Sequence, residues 1–153
     1  MPSFVFTPAK AYLGRADLDL NLHDIRCMLL KVAASTTADT DQDAATISAI
    51  TTLGEIVATG YARIALTTEA VNQDDANNRA EFDADDVAFG ALGGASNDTM
   101  EFLLYYRHVT NDTDSVPIAL IMGTIFPGSA STMTTNGSTV TIVHHAEGVL
   151  QLT

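Results

Sequence analysis

The chain has 153 residues, 46% hydrophobic and 17% charged, enough to bury roughly two-thirds of its unfolded surface as one domain without disulfide or metal support. That balance argues against disorder, and 19 acidic against 7 basic residues, a net charge of -12, argue against nucleic acid or an anionic membrane surface as a direct partner. The mean hydropathy of +0.15 points to more apolar surface than a lone monomer wants, and so to an interface.

The first residues, Met-Pro-Ser-Phe-Val-Phe, lack a basic segment followed by a long apolar one, and no run approaches the length of a membrane span. The expectation is a soluble, unprocessed chain. Residues 8–16 predict a short helix opened by Pro8 and limited by Gly14. From Asp17 to Leu22, leucines at 18, 20 and 22 alternate with polar residues and lead into Ile25–Ala34, an apolar run that predicts the first core strand.

Ser35–Asp43 reads as a polar loop, and Ala44–Leu53 as a helical turn or two with Ile47, Ile50 and Leu53 inward. Tyr61–Thr67 alternates as a half-buried strand, and Asn72–Arg79 reads as a polar turn region. Ala80–Phe89 predicts two short strand pieces bent at the acidic cluster Asp83-Ala-Asp-Asp86, and Gly90–Asp98 is rich in turn residues. The strongest strands, Met100–Val109 and Val116–Phe126, flank the turn-rich Thr110–Ser115 and predict a hairpin. Pro127–Ser138 is a Gly/Ser/Thr loop. Thr139–Thr153 then predicts one long strand, with Val140, Ile142, Ala146, Leu150 and Leu152 on the buried face.

Strands separated by turns, with one or two short helices, define an all-β class: an antiparallel sandwich or jelly-roll-like fold over residues 1–153 as a single domain. No internal repeat, low-complexity tail or interdomain linker interrupts it.

Residue types that carry chemistry occur, but in weak patterns. Asp39, Asp41 and Asp43 alternate as at the start of a calcium-binding EF-hand loop, yet Ala44 stands where the sharp turn needs Gly and Ile50 where the closing Glu belongs, leaving a solvated loop. Asp83, Asp85 and Asp86 fit a turn that hydrogen-bonds its own backbone better than a cation site or an acid–base pair. His144 and His145 are adjacent on a strand and face opposite ways, which places His144 inward and His145 outward instead of both on one metal. Cys27, the only cysteine, lies in an apolar run and reads as an inert buried thiol; intrachain disulfides and multi-cysteine zinc sites are excluded.

Tyr105-Tyr106-Arg107 fits core packing better than a stacking platform for single strands, given the net charge. No nucleophile elbow, phosphate loop or dinucleotide fingerprint occurs, and Gly93-Gly94 is a loop signal only. The expectation is a non-enzyme with no catalytic, cofactor-binding or metal residues.

Four segments, Ile25-Arg-Cys-Met-Leu-Leu-Lys-Val, Gly60-Tyr61, Arg79-Ala-Glu-Phe-Asp-Ala-Asp-Asp-Val and Gly148-Val-Leu-Gln-Leu, resemble small structural proteins of tailed-bacteriophage virions, of the capsid decoration or cement type. The similarity is patchy and spans about residues 10–153. It departs from the family pattern at Phe89, where a tryptophan is usual, and at His144 or His145, where another aromatic falls. The resemblance implies a capsid-surface protein that is soluble in the host cytoplasm before assembly. It further implies a homo-oligomer partnered by the major capsid protein; no nucleic acid or membrane partner is expected, on the net charge, and no cofactor, for want of a binding motif. The alternative is a tail or fibre protein that binds a host-surface glycan through Thr110–Ser115 and Pro127–Ser138.

Overall fold

The computed structural model describes residues 3–32, 38–122, 131–145 and 148–152. In chain order, β1 (Phe4–Val5) leads into helix α1 (Thr7–Gly14), then β2 (Ile25–Lys31), the single helical turn α2 (Ala38–Asp41) and a 3₁₀ turn at Ile47–Ala49. There follow β3 (Ile64–Ala65), β4 (Ala70–Asp74), β5 (Arg79–Asp83), β6 (Val87–Leu92) and β7 (Thr99–Arg107). The chain continues through β8 (Val116–Met122), β9 (Met133–Thr134), β10 (Ser138–Ile142) and β11 (Leu150–Leu152). The fold is all-β and antiparallel, with short helical segments at its margins.

The main sheet grows from the most apolar segments. β7 and β8 form the expected hairpin, with Leu104 opposite Leu120 and Leu103 opposite Ile121. β2 pairs with the other edge of β7, placing Cys27 opposite Tyr105 and Leu29 opposite Leu103. β1 extends the sheet beyond β8, β3 extends it beyond β2, and β9 pairs with β7 at Thr99 and Met100. Cys27–Leu30 and Phe102–Tyr106 are buried at every position, so the sheet's centre is covered on both faces. Strands with two covered faces read as unbroken apolar runs and not as alternation.

Helix α1 lies beside β8, and its stop is more particular than Gly14 suggests. Ala16 sits in the left-handed region at φ 58, its N–H donating to the Leu13 carbonyl while the Asp17 N–H donates to the Tyr12 carbonyl. This pair of bonds is a Schellman stop, and its left-handed position prefers glycine. Replacing Ala16 by Gly is therefore expected to stabilise the fold by about 1 kcal/mol, read as a higher denaturation midpoint with unchanged slope.

β5 and β6 form one side of a long antiparallel ribbon, and β10 and β11 form the other. β6 pairs with β10, Val87 opposite Ile142, and β5 pairs with β11, Phe82 opposite Leu150. β4 completes the outer end as an edge strand on β5. Phe82, Val87, Phe89, Val140 and Ile142 join Cys27, Leu29 and Tyr105 in one continuous core.

Several expectations change. Thr139–Thr153 is not one strand: it leaves the ladder after Ile142 and re-enters at Leu150, because its partner bends over Ala84–Asp86 and Gly148 turns the chain at φ 84. The predicted faces survive at Val140, Ile142 and Leu150, which are buried. The alternating Asp17–Leu22 segment forms no strand before β2; Leu18 and Leu20 are buried, but a turn after Asp19 throws Leu22 outward at 81% exposure. Only Ile64–Ala65 of the expected Tyr61–Thr67 strand is paired, and the expected turn region Asn72–Arg79 contains most of β4 and the first residue of β5. A helical turn and β9 occupy parts of the expected loops Ser35–Asp43 and Pro127–Ser138. The predicted elements at Ala33–Ala34, Ser35–Thr37, Gly123–Phe126, Pro127–Ala130, Ala146, Glu147 and Thr153 lie outside the described residues.

Candidate functional site

The interruption of the ribbon gathers most of the polar residues singled out in the sequence. Asp83 closes β5 by accepting the Ala84 N–H at 2.9 Å, the self-bonded turn its residue type favours. Asp85 and Asp86 instead tie the bend to other segments. Asp85 accepts the Thr68 hydroxyl at 2.6 Å, and its N–H donates to the Thr67 carbonyl at 3.0 Å. Asp86 accepts the His144 N–H at 2.9 Å, crossing to the broken strand.

His144 is half-buried and His145 exposed, the sides the strand parity predicts, although both lie beyond β10 in the break. The His144 ring lies between two partners, with Nδ1 3.0 Å from the Ala84 carbonyl and Nε2 2.9 Å from the Tyr105 hydroxyl. A carbonyl oxygen only accepts, so in the neutral ring Nδ1 carries the proton and Nε2 accepts from Tyr105. Tyr105 is held un-ionised, burial pushing its hydroxyl well above the usual tyrosine range. Tyr105→Phe is expected to cost about 1–2 kcal/mol, since it leaves a half-buried ring nitrogen unpaired. Nitrogen-15 spectra should show the Nδ1–H tautomer in the wild type and, because the Ala84 carbonyl remains, in the variant too, with the Nε2 signal shifted by loss of its donor.

Beside this junction the ribbon and main sheet leave a cavity of 340 Å³, lined by Leu103, Tyr105, Ile121, Ile142, Val143 and Val149 among others. A more open depression of 510 Å³ holds Asp83, Asp85 and Asp86, and the two share His144 and His145. Among the described residues, no three His, Cys, Asp or Glu side chains converge so as to hold a metal ion.

The remaining sequence candidates are structural. Cys27 is fully buried and its thiol pushed up by that burial, which leaves no thiolate for nucleophilic attack. Asp41 does not face solvent as the loop reading expected: it is 2% exposed, accepting the Thr51 N–H at 3.2 Å and the Thr40 hydroxyl at 2.7 Å. It clasps the loop instead of reaching for a cation. Tyr105 and Tyr106 are core residues. In Thr110–Ser115, Asp114 takes the N–H groups of Thr110 and Asn111, while Asn111 takes both the N–H and the hydroxyl of Thr113. Those polar groups serve the loop itself.

A second polar cluster escaped the sequence reading. Arg63 grips Glu55 with two donors, Nε at 2.8 Å and Nη2 at 2.7 Å, and also binds Asp112. Its guanidinium lies 5.4 Å from the centroid of the Tyr106 ring. Tyr61 donates to Glu55 at 2.7 Å and accepts the Leu29 N–H at 3.1 Å. The hydrogen bond from Arg63 holds Asp112 below the usual carboxylate range, while Glu55 and Asp112 push Arg63 up. Every ionised group is matched, so the cluster fixes loops and offers no free acid or base. Asp112 lies 49 residues from Arg63, and Glu55 lies eight away across a loop; the one local cue was Tyr61 and Arg63 sharing a strand face.

Compared with known proteins, the chain matches no protein-family model, and no curated protein or solved structure matches it significantly. Among the described residues, no helix is long and apolar enough to cross a membrane.

Proposed function

We propose that this chain is a structural protein of a tailed-bacteriophage head, decorating or cementing the capsid shell through self-association and contacts with the major capsid protein. The observation that carries the reading is how the four segments of the sequence resemblance interlock. Tyr61, from Gly60-Tyr61, accepts a hydrogen bond from Leu29 of the first segment and stacks on Phe89, ring centroids 6.0 Å apart. Phe89 thereby does the packing work expected of the family's tryptophan. Phe82 of the third segment pairs with Leu150 of the fourth, and the Val149 N–H donates to the Phe82 carbonyl at 2.7 Å.

The shared segments are thus joints of one scaffold, and none of them arranges reacting groups around an open centre. Exposed apolar residues such as Val57 and Val143, 70% and 67% accessible, supply surface for assembly. No catalytic role belongs to this reading. The test is sedimentation of purified chain with shells of the phage that encodes it, made without this protein. Saturable pelleting with the shells is expected; a chain that stays in the supernatant overturns the proposal.

A further inference from the structure

We infer that the cavity at the ribbon break, with its acidic rim, is a docking notch for an apolar side chain flanked by Lys or Arg on a partner polypeptide. The floor is apolar, built by Leu103, Ile121, Ile142 and Val149. Its two inner polar groups are consumed by each other and by the backbone, Tyr105 on His144 and His144 on Ala84. With Tyr105 and His144 engaged, the floor among the described residues is mainly apolar and suits an apolar group better than a polar small molecule, and the volume of 340 Å³ is at the small end of the range for ligand pockets, about 300–1,000 Å³. One large apolar side chain suits that space, in the manner of an interface anchor entering a pocket.

Charge selects what flanks the anchor. Asp85 and Asp86 are exposed beside the mouth, and among the described residues no Lys or Arg forms an ion pair with Asp83, Asp85 or Asp86. A second copy of this chain is the weaker occupant: its net charge is -12, and of its seven Lys and Arg residues five, Arg15, Arg26, Lys31, Arg63 and Arg79, are already in ion pairs, leaving Lys10 and Arg107 as single, separated cations. A cation on another protein gains attraction from the rim, whereas like charge there is repelled. Nothing in this requires the partner to be a capsid protein, so the notch stands or falls separately from the virion reading.

The test uses the whole chain, isotope-labelled, titrated at low salt with three capped peptides that differ only in their central residues: Leu-Lys-Lys, Ala-Lys-Lys and Leu-Glu-Glu. The first is expected to shift the signals of Tyr105, Val143, His144 and His145. The other two are expected to bind at least about tenfold more weakly. The double substitution Asp85→Asn with Asp86→Asn lies on exposed positions and keeps an acceptor for the His144 N–H. It should weaken the first peptide by about tenfold while leaving the rest of the spectrum in place. Equal binding of all three peptides, shifts confined to the turn between β4 and β5, or insensitivity to the double substitution would each overturn the proposal. So would movement of the notch signals with protein concentration alone, which would make a second copy the occupant.

Discussion

Gly148→Val should destabilise the fold by about 3 kcal/mol, lowering the melting temperature by on the order of 10 °C, with Leu150–Leu152 losing amide-exchange protection first. Two independent costs act at this position. Its φ of 84 lies where a β-branched residue is strained, and a Cβ there would stand 2.6 Å from the Phe82 carbonyl oxygen and 3.2 Å from its carbon. Backbone on both sides cannot yield as a flexible side chain would, so relief requires β11 to move off β5. Gly14 is the control: its Cβ would meet nothing within 4 Å and its φ is not positive, so Gly14→Ala should be neutral or slightly stabilising. Equal effects at the two glycines would mean that the ribbon break is not held as described.

Arg63→Met should cost about 2 kcal/mol, because it strands Glu55 and Asp112 beside Tyr106. A fully buried pair would cost more. Here the Arg63 and Glu55 side chains are 22% and 23% exposed and Asp112 is 39% exposed, so solvent screens part of the loss and the Glu55 arm carries the larger share. Arg63→Lys should recover little, since an ammonium cannot supply the two-pronged grip on Glu55. The acid limb of stability carries a second signature. Arg63 depresses the Asp112 carboxyl, so this contribution is fully present above the unfolded carboxylate value of about 4 and is lost as pH falls through the lower folded value. In Arg63→Met that part of the acid-side slope should vanish. A Lys variant as stable as the wild type would contradict the geometry.

How far the sequence reveals this molecule depends on the range over which each signal acts. β2, β7 and β8 are legible because burial on both faces writes continuous apolar runs, and Asp83–Asp86 reads as a bend because three carboxylates in four positions cannot share a packed strand. The inward His144 and outward His145 match the parity expectation even though they sit in the break after β10.

Parity also explains the main error. Ile142 and Leu150 are an even number of residues apart, so a period-two pattern passes through the break unchanged, and only Gly148 marks it. β4 has a single large apolar residue, Val71, and exists because β5 offers it a ladder; edge strands in water leave little hydrophobic signature. The Arg63 cluster is illegible for a different reason: Asp112 is 49 residues from Arg63, and only the folded sheet brings them together.

The most direct test of the chain as a shell protein is electron cryomicroscopy of particles assembled with and without it. The reading requires density matching the main sheet and bent ribbon on the capsid exterior, spanning capsomer junctions and absent from particles that lack the gene. Unchanged shell density, or the same density found on the tail, would contradict it.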